Sequence, residues 1–217
     1  MVGTLIRDIE DNADLSTEQK ILLAARTVFH KKGFVATRTR DIAEESGINL
    51  ALLNYYFRSK AKLFEIVMID TMADFLQCLM KNLNDVDTNF AQKVEIIAAH
   101  YIDFMSEHPD IPVFLLTEMR NDVANFAEKL PFRERIEETV FMQQYLAEVV
   151  QGKVSEPDPL NFLMNLLGLI LVPFLMKPVL LTEHRLDEGQ FSKMMQQRKK
   201  LIPIWVKAML GVDFAEG

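Results

Sequence analysis

The sequence predicts an all-α protein, built as a small N-terminal three-helix unit followed by a larger helical body. Three observations carry this. Apolar residues recur at three- and four-residue intervals along nearly the whole chain, the period of one helix face. Alternating β-branched runs are scarce. Gly and Pro number only eight each in 217 residues, and they fall at the edges of the periodic segments.

Ser16 or Thr17 caps the first helix, which carries Ile21, Ala25, Val28 and Phe29 on one face and stops at Gly33. A short second helix follows Thr37, turns Ile42 and Ala43 inward and ends at Gly47. The third runs from about Asn49 to Phe57, with Leu53 and Phe57 packing inward at i and i+4. Ser59 then caps a long fourth helix, from Lys60 to about Asn82, striped by Leu63, Val67, Phe75 and Leu79. Beyond it the pattern predicts helices at about 88–107, 110–120, 131–151, 158–181 and 188–210. Pro109, Pro112, Pro131, Pro157 and Pro159 lie in or beside the gaps, where a missing amide hydrogen costs least.

Charge divides the chain in the same way. The total is -7, which taken alone argues against a polyanionic partner. Yet residues 15–62 hold nine bases against four acids, whereas residues 63–217 hold fourteen against twenty-three. The organisation read from this is a lead-in over 1–14, a basic unit over 15–62 and an acidic body over 63–217. Cys78 is the single cysteine, so no disulfide forms within one chain, and the composition reads as a reduced, cytoplasmic protein. Residues 1–15 carry four acids and no long apolar stretch, so no secretory signal is expected.

Two short helices joined at Gly47, with small Ala43 permitting close approach, form a helix-turn-helix pattern. A helix about 10–12 Å across fits the major groove of B-DNA, roughly 12 Å wide. Asn49, Leu50, Ala51, Leu52, Asn54, Tyr55 and Tyr56 remain around the rim of the third helix. Lys31, Lys32, Arg38, Arg40, Arg58, Lys60 and Lys62 flank it at helix ends and turns, where they reach phosphates.

The run from Ile21 to Phe64 resembles the DNA-binding domain of the TetR family of bacterial transcriptional regulators. Ala24-Ala25, Phe29, Gly33-Phe34, Thr37, Arg40-Asp41-Ile42-Ala43, Gly47-Ile48, Leu53, Tyr56-Phe57 and Ser59-Lys60 carry the resemblance. It implies a DNA-contact set of Thr37, Arg38, Thr39, Arg40, Asn49, Leu50, Ala51, Leu52, Asn54, Tyr55, Tyr56 and Lys60. Within that set Thr39 would anchor the second helix on a phosphate, and Arg40 would lie at the groove. Leu50, Ala51 and Leu52 would face base edges, while Tyr55, Tyr56 and Lys60 would hold the flanking backbone. Asn54 departs from the tyrosine commonest there; it offers adenine a bidentate pair but loses the phenolic contact to phosphate. Leu50 and Leu52 provide apolar contact only, such as to a thymine methyl.

The resemblance further implies a homodimer formed through the last two long helices, about 158–181 and 188–210, and a body that binds a small effector. The segment 160–181 has Lys177 as its single charge and is long enough to cross a bilayer. Asn161, Asn165, Pro173 and Pro178 argue instead for burial at a protein interface, with no membrane partner. The basic run Arg198-Lys199-Lys200 reads as a solvated helix face. An apolar or amphipathic effector would meet Met72, Phe75, Tyr101, Phe104, Met105, Met119, Phe141 and Phe162, with His100 as a polar anchor; an ordinary core uses the same residue types. No glycine-rich phosphate loop, His-Glu-x-x-His, paired-cysteine spacing or nucleophile elbow is present, so neither an enzyme nor a metal or cofactor site is expected. The expected function is a homodimeric repressor that binds a palindromic operator and is released by an effector. A DNA-bound architectural or adaptor protein without effector control fits the same residues.

Overall fold

The computed structural model describes residues 15–129, 136–182 and 186–211. Among them the chain forms α1 (Thr17–Ala36), α2 (Thr39–Ser46), α3 (Leu50–Tyr56), α4 (Lys60–Leu83), α5 (Phe90–Glu107), α6 (Ile111–Lys129), α7 (Val140–Val150), α8 (Pro159–Thr182) and α9 (Glu188–Leu210), with one 3-10 turn at Ile136–Glu138. No strand occurs among these residues.

The helix ends are chemically specified. Ser16 accepts from the Gln19 amide while the Gln19 side chain returns to Ser16, a capping box that starts α1. Asp187 and Gln190 start α9 in the same manner. Two expected boundaries are corrected. The sixth helix continues nine residues past 120, and the seventh begins at Val140 rather than 131 because Thr139 caps it, accepting from the Met142 amide. Residues 131–135 of that expected helix lie outside the described residues.

Packing separates the chain into two units: the described parts of Met1–Gln77 with His108–Phe132, and of Cys78–Glu107 with Arg133–Gly217. The grouping differs from the charge boundary at residue 62, because burial rather than charge decides which helices pack together. In the first unit Ile21, Leu22, Ala25, Val28 and Phe29 of α1 are buried, as are Ile42 and Ala43 of α2 and Leu53 and Phe57 around α3. Phe64 of α4 links two aromatic neighbours, edge-on to Phe29 at 5.1 Å and to Phe114 of α6 at 6.1 Å between centroids.

A polar seam runs beside this core. Arg26 donates to Asp70 at 3.2 Å and to Asp74 at 2.8 Å. Thr71 donates its hydroxyl hydrogen to the Val67 carbonyl at 2.8 Å, so the 3.0 Å contact from His30 Nε2 is a donation from the ring to Thr71 Oγ1. His108 lies against His30 with ring centroids 4.5 Å apart. Burial, the neighbouring His108 and the Arg26 charge together lower the His30 pKa from 6.5 to about 4.

The second unit is centred on a four-ring cluster. Phe90 stacks on Phe141 at 5.3 Å and Tyr145 on Phe162 at 4.6 Å, and Phe90 meets both members of the other pair. Lys93, buried, donates to the Asp85 and Thr88 carbonyls and to the Thr88 hydroxyl, closing the turn before α5.

His30 gives a prediction whose sign follows from linkage. The unfolded chain takes up this proton near pH 6.5 and the folded chain only near pH 4, so the unfolded state binds more protons in between. This contribution to stability is present above pH 6.5 and is lost as the pH falls toward 4. Urea unfolding across that range should show wild type losing stability relative to His30→Gln, whose side-chain amide still donates to Thr71 but does not titrate.

Candidate nucleic-acid interface

The geometry of the reading head is set at two turns. At the first, α1 breaks at Gly33, whose φ of 73° and ψ of 171° lie in a region essentially reserved for glycine. A Cβ there would also stand 3.2 Å from Asp110 Oδ2. That carboxylate accepts from the Phe34 amide at 2.9 Å. Lys60, from the start of α4, donates to the Phe34 carbonyl at 2.8 Å and the Thr37 carbonyl at 2.9 Å, with its ammonium 4.2 Å from the Phe34 ring centre. The Thr37 hydroxyl donates back to Gly33 at 2.7 Å. The backbone groups freed by the break are thus satisfied by side chains from α4 and from the residue preceding α6.

At the second turn, Gly47 adopts a left-handed conformation with φ 68°. Its amide donates to Glu44 and the Ile48 amide to Ala43, closing α2. Asn49 Oδ1 accepts from the Leu52 amide at 2.8 Å and opens α3. Buried Leu53 and Phe57 hold α3 on the unit, leaving Leu50, Ala51, Leu52, Asn54, Tyr55 and Tyr56 exposed.

These contacts divide the expected DNA residues. Thr37 is buried with its hydroxyl donated to the Gly33 carbonyl, and half-buried Lys60 spends two of its three N–H donors on the carbonyls exposed by the break at Gly33, so both have a scaffold role here. Asn49 is exposed, with its side-chain oxygen held in the cap. Lys32 pairs with Asp41 at 3.2 Å and Lys62 with Glu65 at 3.0 Å. The Arg38 amide bond to the Asp41 carboxylate, reinforced by Lys32, holds that carboxyl below its ordinary range. Thr39 is half-buried at the start of α2. Lys31, Arg38, Arg40 and Arg58 are exposed and have no ion-pair partner among the described residues. Asp110 escaped the sequence reading. Its position before Ile111-Pro112 signals a helix start, but nothing local indicates a contact 76 residues away.

The expected effector residues fall in both units. Met72 is buried and Phe75 half-buried in the first unit. In the second, Phe141 and Phe162 belong to the stacked core, a correction that follows from their mutual ring contacts. His100, Tyr101, Phe104 and Met105 share α5; His100 Nδ1 meets the Asn82 amide at 3.3 Å, and burial pushes the Tyr101 phenol up to about 12. The Met119 side chain lies outside the described residues. A groove of about 520 Å³ in the second unit is lined by Met164, Leu169, Val172, Met194, Arg198 and Met209 among others, and by none of the eight expected residues whose side chains are described. The basic run on α9 is also corrected. Arg198 donates to the Leu169 carbonyl at 2.6 Å and lies over Trp205, while Lys199 pairs with Asp103.

Residues 21–67, which span most of α1 through the first third of α4, match the model of the tetR family of bacterial regulatory proteins. A probable HTH-type transcriptional regulator of Bacillus subtilis, YttP, is 25% identical over 90% of this chain and 94% of that protein. Over residues 21–67 the chain is a TetR-family domain. It is a DNA-binding transcriptional regulator of TetR type and not an enzyme. NicS, an HTH-type transcriptional repressor of Pseudomonas putida, is 30% identical over 63% of this chain and 64% of its own length. In fold, the TetR-type chain is similar to family regulators from Mesorhizobium loti (TM-score 0.59, 16% identity, 90% of this chain and 97% of that one) and Haloarcula marismortui (TM-score 0.59, 18% identity, 89% and 98%).

The division between scaffold and contact residues is measurable. Lys60→Met keeps the packing on Phe34 but removes the donations, and should cost about 1–3 kcal/mol in urea unfolding. In duplex DNA titrations against salt, Arg40→Ala and Arg58→Ala should each reduce the log–log slope by about 1 if each meets one phosphate, with stability unchanged.

Proposed function

We propose that this regulator is a cytoplasmic repressor that binds a palindromic operator as a homodimer and is released by an apolar or amphipathic small molecule. One observation carries the dimer. The pair α8 and α9 exposes large apolar side chains, among them Leu160 at 64%, Met164 at 63% and Ile204 at 59% of full exposure, together with Val172, Met176, Val179 and Met209. So continuous an apolar surface is characteristic of an interface. A second copy covers it by completing a four-helix bundle across a two-fold axis. The helix α8 is long and apolar enough to span a membrane, but the pair from Lys177 to Glu188 at 2.8 Å and the Arg198 bond to Leu169 suit a protein–protein contact in water better than a lipid face.

Two copies present two α3 helices, and half-sites one helical turn apart, about 34–36 Å, suit two-fold symmetric readers. The proposed contact residues are Arg38, Thr39, Arg40, Leu50, Ala51, Leu52, Asn54, Tyr55 and Tyr56, joined by Lys31 and Arg58. Thr37, Asn49 and Lys60 support them. A repressor is the simpler reading, since an occupied operator obstructs transcription without a further partner surface, and NicS is named a repressor. The proposed effector contacts reduce to His100, Tyr101, Phe104 and Met105, and release follows if the effector prefers a form whose reading helices are misplaced.

Selection from a random duplex pool at about 0.15 M salt, combined with sedimentation, tests this reading. A dimer and an inverted repeat are expected, and Ile204→Glu should give monomers that lose the repeat. A monomer that selects a single half-site would contradict it.

A further inference from the structure

The chemistry displayed by α3 is unusual for a helix that reads bases. At 100° per residue, buried Leu53 points one way and Ala51 and Tyr55, at i and i+4, point the other, with Leu52 and Asn54 at equal angles on either side of them. Tyr55 is accordingly the most exposed large side chain of the helix, at 79%. The leading surface is therefore Ala51 and Tyr55, bordered by Leu52 on one side and Asn54 on the other. Purines are ordinarily read by side chains that make two hydrogen bonds, Arg or Lys to guanine and Asn or Gln to adenine. α3 contains no Arg, Lys or Gln. Asn54 is the one side chain of α3 with amide groups for a purine, and it lies on the border opposite Leu52, while the Asn49 side-chain oxygen is held by the Leu52 amide. Arg40 lies on α2, outside the reading helix.

An apolar surface in the major groove has one distinctive partner, the C5-methyl group of thymine. Resting on the proposal that α3 enters the major groove, we infer that on the Leu52 side of α3 this regulator selects thymine, through methyl groups seated on Ala51 and Leu52. Tyr55 forms the wall of that seat and Leu52 is the specificity-determining residue. Cytosine methylated at C5 carries the same methyl in the same place, so the seat does not distinguish it from thymine by this contact. Methylation of a cytosine within the half-site therefore strengthens binding at that position.

The test uses the full-length protein and duplexes chosen from a random pool. Each thymine of the selected site is replaced singly by deoxyuridine, which removes the methyl and leaves every hydrogen-bonding group in place. A seated methyl should be worth about three- to fivefold in affinity, the equivalent of one buried methylene. Where a C·G pair replaces a seated T·A pair, 5-methylcytosine should bind more tightly than cytosine by a similar factor. Leu52→Ala, an exposed change to a good helix former, should bring the thymine-to-uracil ratio toward one while melting temperature and salt slope stay unchanged. The inference is overturned if uracil serves as well as thymine at every position, or if the ratio persists in Leu52→Ala. A pool that yields no enriched sequence would instead overturn the underlying regulator reading.

Discussion

The reading head depends on how one backbone break is satisfied. At Gly33 the chain leaves the helical path, and the Phe34 amide and the Phe34 and Thr37 carbonyls lose their regular partners. Asp110 supplies the acceptor and Lys60 the donors. An unmade hydrogen bond at a buried group costs about 1–3 kcal/mol, so these side chains determine the direction in which α2 leaves the elbow, and α2 carries α3 through the Gly47 turn. Residues from three separate parts of the sequence thereby fix a helix that none of them belongs to.

Once the elbow is satisfied, the electrostatics become specific. Nine bases lie between residues 15 and 62. Arg26, Lys32 and Lys62 are paired with carboxylates, and Lys60 with carbonyls. The cations left unpaired in the described structure include Lys31, Arg38, Arg40 and Arg58, which lie at the ends of α1, α2 and α3. Most of the net excess therefore resides in residues at the borders of α3, where the proposed DNA contact would bring phosphates. The acidic remainder of the chain limits non-specific attraction to nucleic acid.

Much of the fold is legible in the sequence because it is written locally. Ser16, Gly47, Asn49 and Asp187 mark helix ends through hydrogen bonds to residues within five positions, and the periodic apolar residues of α1 to α4 are, except half-buried Phe75, those the structure buries. The ends of α6 and α7 depart from the sequence expectation because Pro131 resembles a helix start, whereas the cap of α7 is Thr139. The proposed DNA residues stand together in the sequence, but which of them are tied up in the elbow does not show there. That depends on Asp110 and on the carbonyls facing Lys60, both distant in sequence. Phe141 and Phe162 illustrate the same limit, since an aromatic residue in a cavity and one in a core have the same local pattern.

The most direct measurement of the central claim is the duplex DNA affinity of Asp110→Ala. Removing an acid near a basic head should, by charge alone, tighten binding to phosphates. If the elbow positions the reading helix, affinity for the selected site should instead fall, with the salt slope retained because no phosphate contact has been removed. Exchange of the Phe34 amide should accelerate in parallel. Unchanged or tighter specific binding, with the Phe34 amide freely exchanging, would contradict the account.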